Sequence, residues 1–507
     1  MRSGERLAVI DLGSNSFRLV VFESDDGWWK RTDEIYEPVR IGEGLAATGS
    51  LGEEPMERAL ATLDVFSHFC RAAGLAPEEI DAVATSAIRD AQNASAFLDR
   101  ARKRAGMAIR VLSREAEAHY GYLAAVNSTT LADGCVLDLG GGSMQLVRVH
   151  SRASEELCSW PLGAVRMTER FLPGKDPAKP KQLQALRDHV ASELQSAQWL
   201  SDAAPRLVGI GGTVRNLAAA AQRIAGLPST GVQGVVIERD SLCDLIERLE
   251  ALPAAERSRI PGIKPARADL ILAGAVVVDA VLQAGGFPGL EVTEAGLREG
   301  IFFERHLAGA EPPLFEDPRR ASVLNLAARY HMDVPHTRHV AGLALGMFDQ
   351  LARVGLHKGD AKERELLWAA CVLHDIGMSV DYDDHHKHSR YLILNGGLPG
   401  FSPAEVAIIA QTARYHRKGM PDPGPMQALL NNGDAKLLDR CAVLLRLAED
   451  LERSRDQLVR ATQVELHEQQ VRLRLIADGQ TSVPRWAASR ERELFTRAFH
   501  RDLAVLA

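Results

Sequence analysis

One strand-turn-strand pattern occurs twice in this chain. Val9-Ile10-Asp11-Leu12-Gly13-Ser14-Asn15-Ser16-Phe17-Arg18-Leu19-Val20 returns as Val136-Leu137-Asp138-Leu139-Gly140-Gly141-Gly142-Ser143-Met144-Gln145-Leu146-Val147. In each copy an apolar run ends in Asp, a turn of small residues follows, and a second apolar run leads away. Each copy reads as a β-hairpin, and the in-register Asp, Gly and Ser mark an internal repeat. The small turn residues permit positive φ and let backbone N–H groups converge on an anion with no Cβ in the way. Two such cradles facing each other would grip a polyphosphate from both sides.

The text around the hairpins supports two similar halves. After the first come a strand-like 39–41, an amphipathic helix over 55–73, a strand at 82–85, a helix at 94–104, a strand at 109–112 and a helix at 113–126. The second half repeats the recipe to about 307, with helices at 183–197, 214–224 and 269–283 and a strand Leu207-Val208-Gly209-Ile210. Strands alternating with helices imply α/β layers. The proline-rich 308–320 reads as a linker, and 321–454 is almost wholly helical by its apolar spacing. A last piece, with alternating Val464, Leu466, Val471, Leu473 and Leu475, reads as a strand pair followed by a helix over 490–503. The expected domains are therefore 1–126, 127–307, 321–460 and 461–507.

A chain of 507 residues needs several cores, and 46% hydrophobic with 25% charged residues is an ordinary globular balance. A net charge of −7 argues against binding nucleic acid through overall charge. The 6 cysteines include no C-x-x-C pair, so neither a disulfide framework nor a thiolate zinc site is indicated. Met1 to Glu5 is charged and runs straight into a strand, and no apolar run approaches about 18 residues. The expectation is a cytoplasmic protein without membrane contact.

Three small-residue turns follow apolar strands: Gly13, Ser14, Asn15 and Ser16; Gly140, Gly141, Gly142 and Ser143; and Gly211, Gly212 and Thr213. The third enters a helix directly, where free N–H groups and the dipole favour phosphate. Hydrolysis of a phosphoanhydride needs neutralised phosphate oxygens, a positioned water and usually Mg²⁺ held by carboxylates. Asp11 and Asp138, each at a strand end, suit metal or water positioning, or else cap their own turns. Arg89 is placed to fork onto phosphate oxygens. Ser113 reads as an N-cap with Glu115 and Glu117 in the first turn, each either a candidate base or merely favourable with the dipole.

These segments, together with 84–93 and Val292-Thr293-Glu294-Ala295-Gly296-Leu297-Arg298-Glu299-Gly300-Ile301, resemble the Ppx/GppA family of exopolyphosphatases and guanosine pentaphosphate phosphohydrolases. The resemblance implies two actin-like (ribonuclease H-like) α/β domains flanking a cleft, then an all-α HD-like domain and a small α+β C-terminal piece. It implies removal of terminal phosphate from inorganic polyphosphate with Mg²⁺, or of the 5′ γ-phosphate of guanosine pentaphosphate, by a homodimer. On this resemblance Glu117 is the base, Asp138 serves catalysis or metal binding, and Arg89 contacts phosphate. Gln145 stands where many members carry an acidic residue; it can orient water but supplies no charge. Readings of other classes are a nucleotide-driven kinase or chaperone ATPase, whose substrate modules are not recognisable here, and a non-catalytic polyphosphate or alarmone sensor.

The helical region is rich in histidine. His374-Asp375 resembles the dyad of HD metal-dependent phosphohydrolases, and this resemblance implies His339, His374, Asp375 and Glu449 as metal ligands. Imidazole and carboxylate suit a hydrolytic divalent metal. Glu449 falls where the pattern usually has Asp, which moves the carboxylate by about one C–C bond and disturbs a tight site. His385, His386, Lys387, His388 and Arg390, with Arg414, His416, Arg417 and Lys418, read as a basic patch, either solvated surface or a guide for a polyanion.

Overall fold

The computed structural model describes residues 4–25, 27–174 and 177–506. Met1, Arg2 and Ser3 of the expected charged N-terminus lie outside the described residues. Two compact units emerge, residues 1–318 and 319–507. No helix among the described residues is long and apolar enough to cross a membrane.

The first unit is built on two sheets whose topology carries the sequence repeat. In the first sheet, β1 (Glu5–Leu12), β2 (Phe17–Asp25), β3 (Trp28–Glu37), β4 (Ile80–Ala84) and β5 (Ile109–Val111) stand in the order β3-β2-β1-β4-β5. The second contains β6 (Gly134–Leu139), β7 (Met144–His150), β8 (Ala153–Trp160), β9 (Leu207–Ile210), β10 (Val235–Glu238) and β11 (Gly289–Val292) in the order β10-β11-β9-β6-β7-β8. Leaving aside the edge strand β10, the two orders match. In both, a meander of antiparallel strands continues into parallel neighbours. Register follows as well: Asp11 lies opposite Arg18 and Asp138 opposite Gln145.

The strands are apolar on both faces because both are covered. In β1, Ala8, Ile10 and Leu12 face one core while Leu7 and Val9 face another, which is why the run shows no polar alternation. The second of these cores lies between the sheets. It joins Val20 and Phe22 to Val136, Val147 and Val208 through helices Arg114–Ser128 and Leu297–His306.

By sequence, 297–306 belongs to the second half. Instead, Phe302 stacks on Phe22 of β2 at a centroid distance of 4.5 Å, with both rings fully buried. Burying each such ring contributes about 1.5–3 kcal/mol, so the halves share a core across 126/127.

Two further expectations change. Val39-Arg40-Ile41 is not a strand but a loop with Arg40 at φ 53°. It packs Val39 and Ile41 inward, while Arg40 N donates to the Asn15 carbonyl (3.0 Å) and Gly42 N to that of Ser14 (3.0 Å). The true third strand, β3, is a polar sheet edge, and its sequence lacks the alternation that reveals a half-buried strand.

In the second unit, helices Pro318–Arg329, Val334–Arg353, Ala361–Leu373, His385–Gly396, Pro403–Arg414 and Asp434–Leu451 surround one core. The C-terminal piece is not a separate subdomain. β12 (Val459–His467) and β13 (Gln470–Ala477) pair antiparallel, and β14 (Asp502–Leu506) joins β13 in parallel. Val459, Val471, Leu473, Phe495 and Leu503 enter the same core as the helices. The expected helix over 490–503 ends at Phe499, leaving the tail free to pair as β14.

Candidate active site

The two hairpin turns close in the same way. Gly13 N donates to the Ser16 carbonyl (3.2 Å) and Gly140 N to that of Ser143 (3.0 Å). The turns meet across a cavity of about 120 Å³, and Ser14 Oγ lies 3.0 Å from Ser86 Oγ beside it. A Cβ on Gly142 would fall 2.6 Å from Ser86 Oγ and 2.8 Å from Ser14 Oγ, so a side chain there would displace both hydroxyls. The third turn bends at Gly211, whose φ of 106° disfavours any other residue, and a Cβ there would lie 2.6 Å from the Leu139 carbonyl oxygen. From Gly212 the helix Gly212–Ile224 starts at the cavity wall.

Most of the expected residues converge. Asp11, Gly13, Ser14, Asn15, Ser16, Glu117, Asp138, Gly140, Gly141, Ser143, Gly211 and Gly212 line the cavity. Ser113 caps the helix that carries Glu117 by accepting from Ala116 N (3.1 Å), which fixes Glu117 in the first turn. Glu115, the other candidate base, points to solvent.

Four expected residues lie behind the wall instead. Arg89 donates Nη1 to Glu117 Oε2 (2.7 Å) and to the Leu112 carbonyl (3.1 Å), so its guanidinium holds the glutamate. Gln145 is buried and donates Nε2 to Ser143 Oγ (3.0 Å), which in turn donates to Glu117 Oε1 (3.3 Å). It therefore orients a serine, and a carboxylate at that position has no hydrogen to donate to Ser143. Gly142 backs onto the serine pair, and Thr213 is buried in the helix's first turn.

Sequence reading missed the cationic half of the site. Arg18, Arg215, Arg267 and Arg298 line the same cavity. Arg18 and Arg298 lie inside motifs already singled out, and strand register explains the first: Arg18 occupies in one hairpin the place of Gln145 in the other. Arg215 follows the third turn by one helical step. Arg267, in the short turn Pro265–Arg267, belongs to no local pattern and reaches the site only through tertiary folding.

The charges are strongly coupled. Burial raises the Asp11 carboxyl against the pull of Arg298 and Arg18, and burial raises Glu117 against Arg89. Burial, then the negative charges of Glu117 and Asp11, push Asp138 up to about 7. Arg215 is held down to about 10 by burial and by neighbouring Arg298 and Arg18. Crowded carboxylates of hard oxygen donors fit a divalent cation, and crowded guanidinium groups fit phosphoryl oxygens.

Asp138 gives the metal-free protein a distinctive pH dependence. Unfolding returns its carboxyl to the usual 3.8, so between there and about 7 the folded state binds more protons than the unfolded one. Stability therefore falls as pH rises through that window. In EDTA, the melting temperature is expected to drop between about pH 5 and pH 7.5, and Asp138→Asn to reduce the slope. A wild-type melting temperature that climbs across this range contradicts the assignment.

In the second unit, His336, His374, Asp375 and Glu449 come together. The longer Glu449 side chain reaches the cluster, its Oε1 lying 2.7 Å from His374 Nε2 and 3.1 Å from His336 Nε2. His339 does not join it: its Nε2 donates to the Val459 carbonyl (2.9 Å), one helical turn away from His336. The helix face turned inward selects His336, a choice that spacing alone leaves open. The expected basic patch is also corrected. His385, His386 and Ser389 are buried, and Arg390 donates Nε to Gln411 Oε1 (2.6 Å).

The sequence profile of the Ppx/GppA phosphatase family matches residues 20–308, and that of domain III of the Ppx/GppA phosphatase matches residues 319–483. The chain belongs to the Ppx/GppA phosphatase family. A solved Ppx/GppA family member from Aquifex aeolicus is 30% identical over 60% of this chain and 98% of its own, with a TM-score of 0.52. An exopolyphosphatase-like protein is 27% identical, covering 60% of this chain and 99% of its own, with a TM-score of 0.55. An exopolyphosphatase from Cytophaga hutchinsonii shares the fold at 22% identity, with 59% and 97% coverage and a TM-score of 0.55. The Ppx/GppA chain is thus a phosphatase with an actin-like α/β core and a helical domain III.

Proposed function

We propose that this Ppx/GppA phosphatase removes the terminal phosphate of inorganic polyphosphate. The observation that carries the reading is the cavity wall itself: Asp11, buried Glu117 and Asp138 line one cavity together with Arg18, Arg215, Arg298 and the paired glycine turns. No aromatic side chain lines the cavity among the described residues, so it offers a nucleobase no stacking surface. That favours a ligand made of phosphate alone over guanosine pentaphosphate.

In this reading the N–H groups of the hairpin turns and of the helix at Gly212 receive phosphoryl oxygens, and the arginines neutralise them. Glu117, held by Arg89 and Ser143, takes the proton from the attacking water; its raised carboxyl makes it the better base. Asp11 and Asp138 would hold Mg²⁺, which when bound supplies positive charge to the oxygens of the reacting phosphates. As the terminal P–O bond breaks, the shortened chain leaves as an anion matched by the arginines.

The test offers full-length protein and Mg²⁺ long-chain polyphosphate, guanosine pentaphosphate or ATP in parallel and follows orthophosphate. Polyphosphate is expected to react fastest. Faster release from guanosine pentaphosphate overturns the substrate, release from ATP alone favours a nucleotide-driven machine, and binding without release favours a sensor.

A further inference from the structure

The two hairpins diverge where a third strand runs beside them. In the first, Arg18 of β2 lies opposite Asp11 on one side and Tyr36 of β3 on the other, and Val20 lies opposite Glu34. In the second, the corresponding places belong to Gln145 and Val147, with Ser159 and Leu157 of β8 beside them. Side chains alternate between the two faces of a strand and paired residues share a face, so Arg18, Glu34 and Tyr36 stand together, as do Gln145, Leu157 and Ser159. A guanidinium occupies this place in the first half alone. There, too, the third strand carries a carboxylate and a phenol ring where its counterpart carries an alkyl chain and a hydroxyl.

Arg18 is held from behind. Its Nη1 donates to Glu34 Oε1 (3.1 Å), and its guanidinium carbon lies 4.8 Å from the centre of the Tyr36 ring, within cation–π range. The same Glu34 oxygen lies 3.8 Å from Arg298 Nη1. Arg298 is buried, and its Nε and Nη1 have no hydrogen-bond partner among the described residues. Glu34 thus offsets the charge of both guanidinium groups while leaving these Arg298 hydrogens unclaimed. Burial and Arg298 both work against the charge on Arg18, and Glu34 opposes them. The contacts continue outward: Glu34 Oε2 lies 3.8 Å from Arg31 Nη1, which lies 4.0 Å from Glu299 Oε1. Glu299 Oε2 in turn accepts from Gly296 N (2.9 Å), at the start of the helix that carries Arg298.

We infer that Glu34 is a positioning residue for phosphate binding: from the outer strand β3 it holds Arg18 and Arg298 together, so that both present N–H groups to one phosphoryl group, with Tyr36 backing Arg18. Both arginines line the cavity, whereas neither Glu34 nor Tyr36 does. The carboxylate therefore acts through the arginines. Two buried like charges without it would turn apart, and ordering them would then fall on the binding step instead of on folding. The second half needs no such device, because Gln145 is neutral and spends its amide on Ser143. The inference rests on the reading of the cleft as a phosphate site and adds the layer that arms it.

The test measures orthophosphate release from long-chain polyphosphate with Mg²⁺ for full-length wild type, Glu34→Ala, Glu34→Gln, Arg18→Ala and the Arg18→Ala/Glu34→Ala double variant. Glu34 is exposed at the sheet edge, so its truncation leaves the cores intact. Glu34→Ala is expected to raise KM by about 10-fold with kcat within about 2-fold, and Glu34→Gln, whose amide oxygen still accepts from Arg18, to recover most of that loss. In the Arg18→Ala background the effect of Glu34→Ala is expected to shrink to about 3-fold or less, the signature of coupled residues. The same proteins titrated calorimetrically with tripolyphosphate in EDTA, where no turnover intervenes, should show the same order of Kd. An unchanged or lowered KM in Glu34→Ala, a kcat loss as large as the KM rise, or a full Glu34→Ala effect without Arg18 overturns the inference. A wild type that releases nothing from polyphosphate overturns the substrate instead, and the Kd values then decide the role of Glu34; tripolyphosphate that does not bind wild type overturns both.

Discussion

Replacing Glu117 by Gln is expected to lower kcat for orthophosphate release by about 10²–10⁴-fold, the usual contribution of a positioned general base, with KM changed little. The substitution keeps the side chain's length, and its amide oxygen can still accept from Ser143. What it removes is the lone pair that takes the proton. The two arginine-facing walls remain, so substrate binding persists. Glu115→Gln is the matched control: Glu115 lies two residues away on the same helical turn but faces solvent, and its loss is expected to change kcat less than about 2-fold. Glu117→Gln also removes one of the charges that raise Asp138, so the acid limb of the pH profile should move down. Equal rates for wild type and Glu117→Gln would remove Glu117 from the chemistry, and a collapse of KM instead of kcat would make it a binding residue.

The largest structural effect is expected from Gly300→Ala. Gly300 is where helix Leu297–His306 crosses helix Arg114–Ser128, and a Cβ would overlap the Tyr120 carbonyl oxygen and backbone. Backbone cannot rotate aside as a side chain can, so the helices must part, at about 3 kcal/mol or more by the measure of overpacked cores. The melting temperature of the first unit is expected to fall by roughly 5–10 °C. Activity should fall further than stability alone explains, because the displaced helix carries Glu117. Gly342→Ala is the counterpart. Its Cβ meets nothing within 4 Å in the middle of helix Val334–Arg353, so the change should be neutral or stabilising by about 0.5–1 kcal/mol. A Gly300→Ala protein as stable and active as wild type would show that the two helices do not pack as described.

Much of the cleft was legible because its parts are local. A strand ending in Asp, followed by glycine and serine, is a continuous motif, and its recurrence fixed both hairpins and the positions of Asp11 and Asp138. Ser113 announced the helix start that presents Glu117. Arg89 and Gln145 are legible in the sequence, but their contacts to Glu117 and Ser143 are not, since a guanidinium or amide near a phosphate loop serves a ligand or a neighbouring side chain equally well until side-chain directions are known. The resemblance names His339, while the inward face of helix Val334–Arg353, which carries His336 to the cluster, is not written in the spacing. Arg267 carried no local signal of any kind.

The sequence by itself determined the duplicated hairpins, the acidic and glycine-lined half of the cleft, and the switch from α/β to helical text near residue 318. These follow from neighbouring residues whose backbone needs and apolar periodicity are written in order along the chain. Only the tertiary structure decided that four arginines complete the cleft, that Arg89 holds Glu117, that helix Leu297–His306 binds the two halves into one core, and which histidines gather around Asp375. Those outcomes depend on side chains from distant segments meeting at distances of a few ångströms, and burial on a particular helix face is set by what packs against it, which no local pattern encodes.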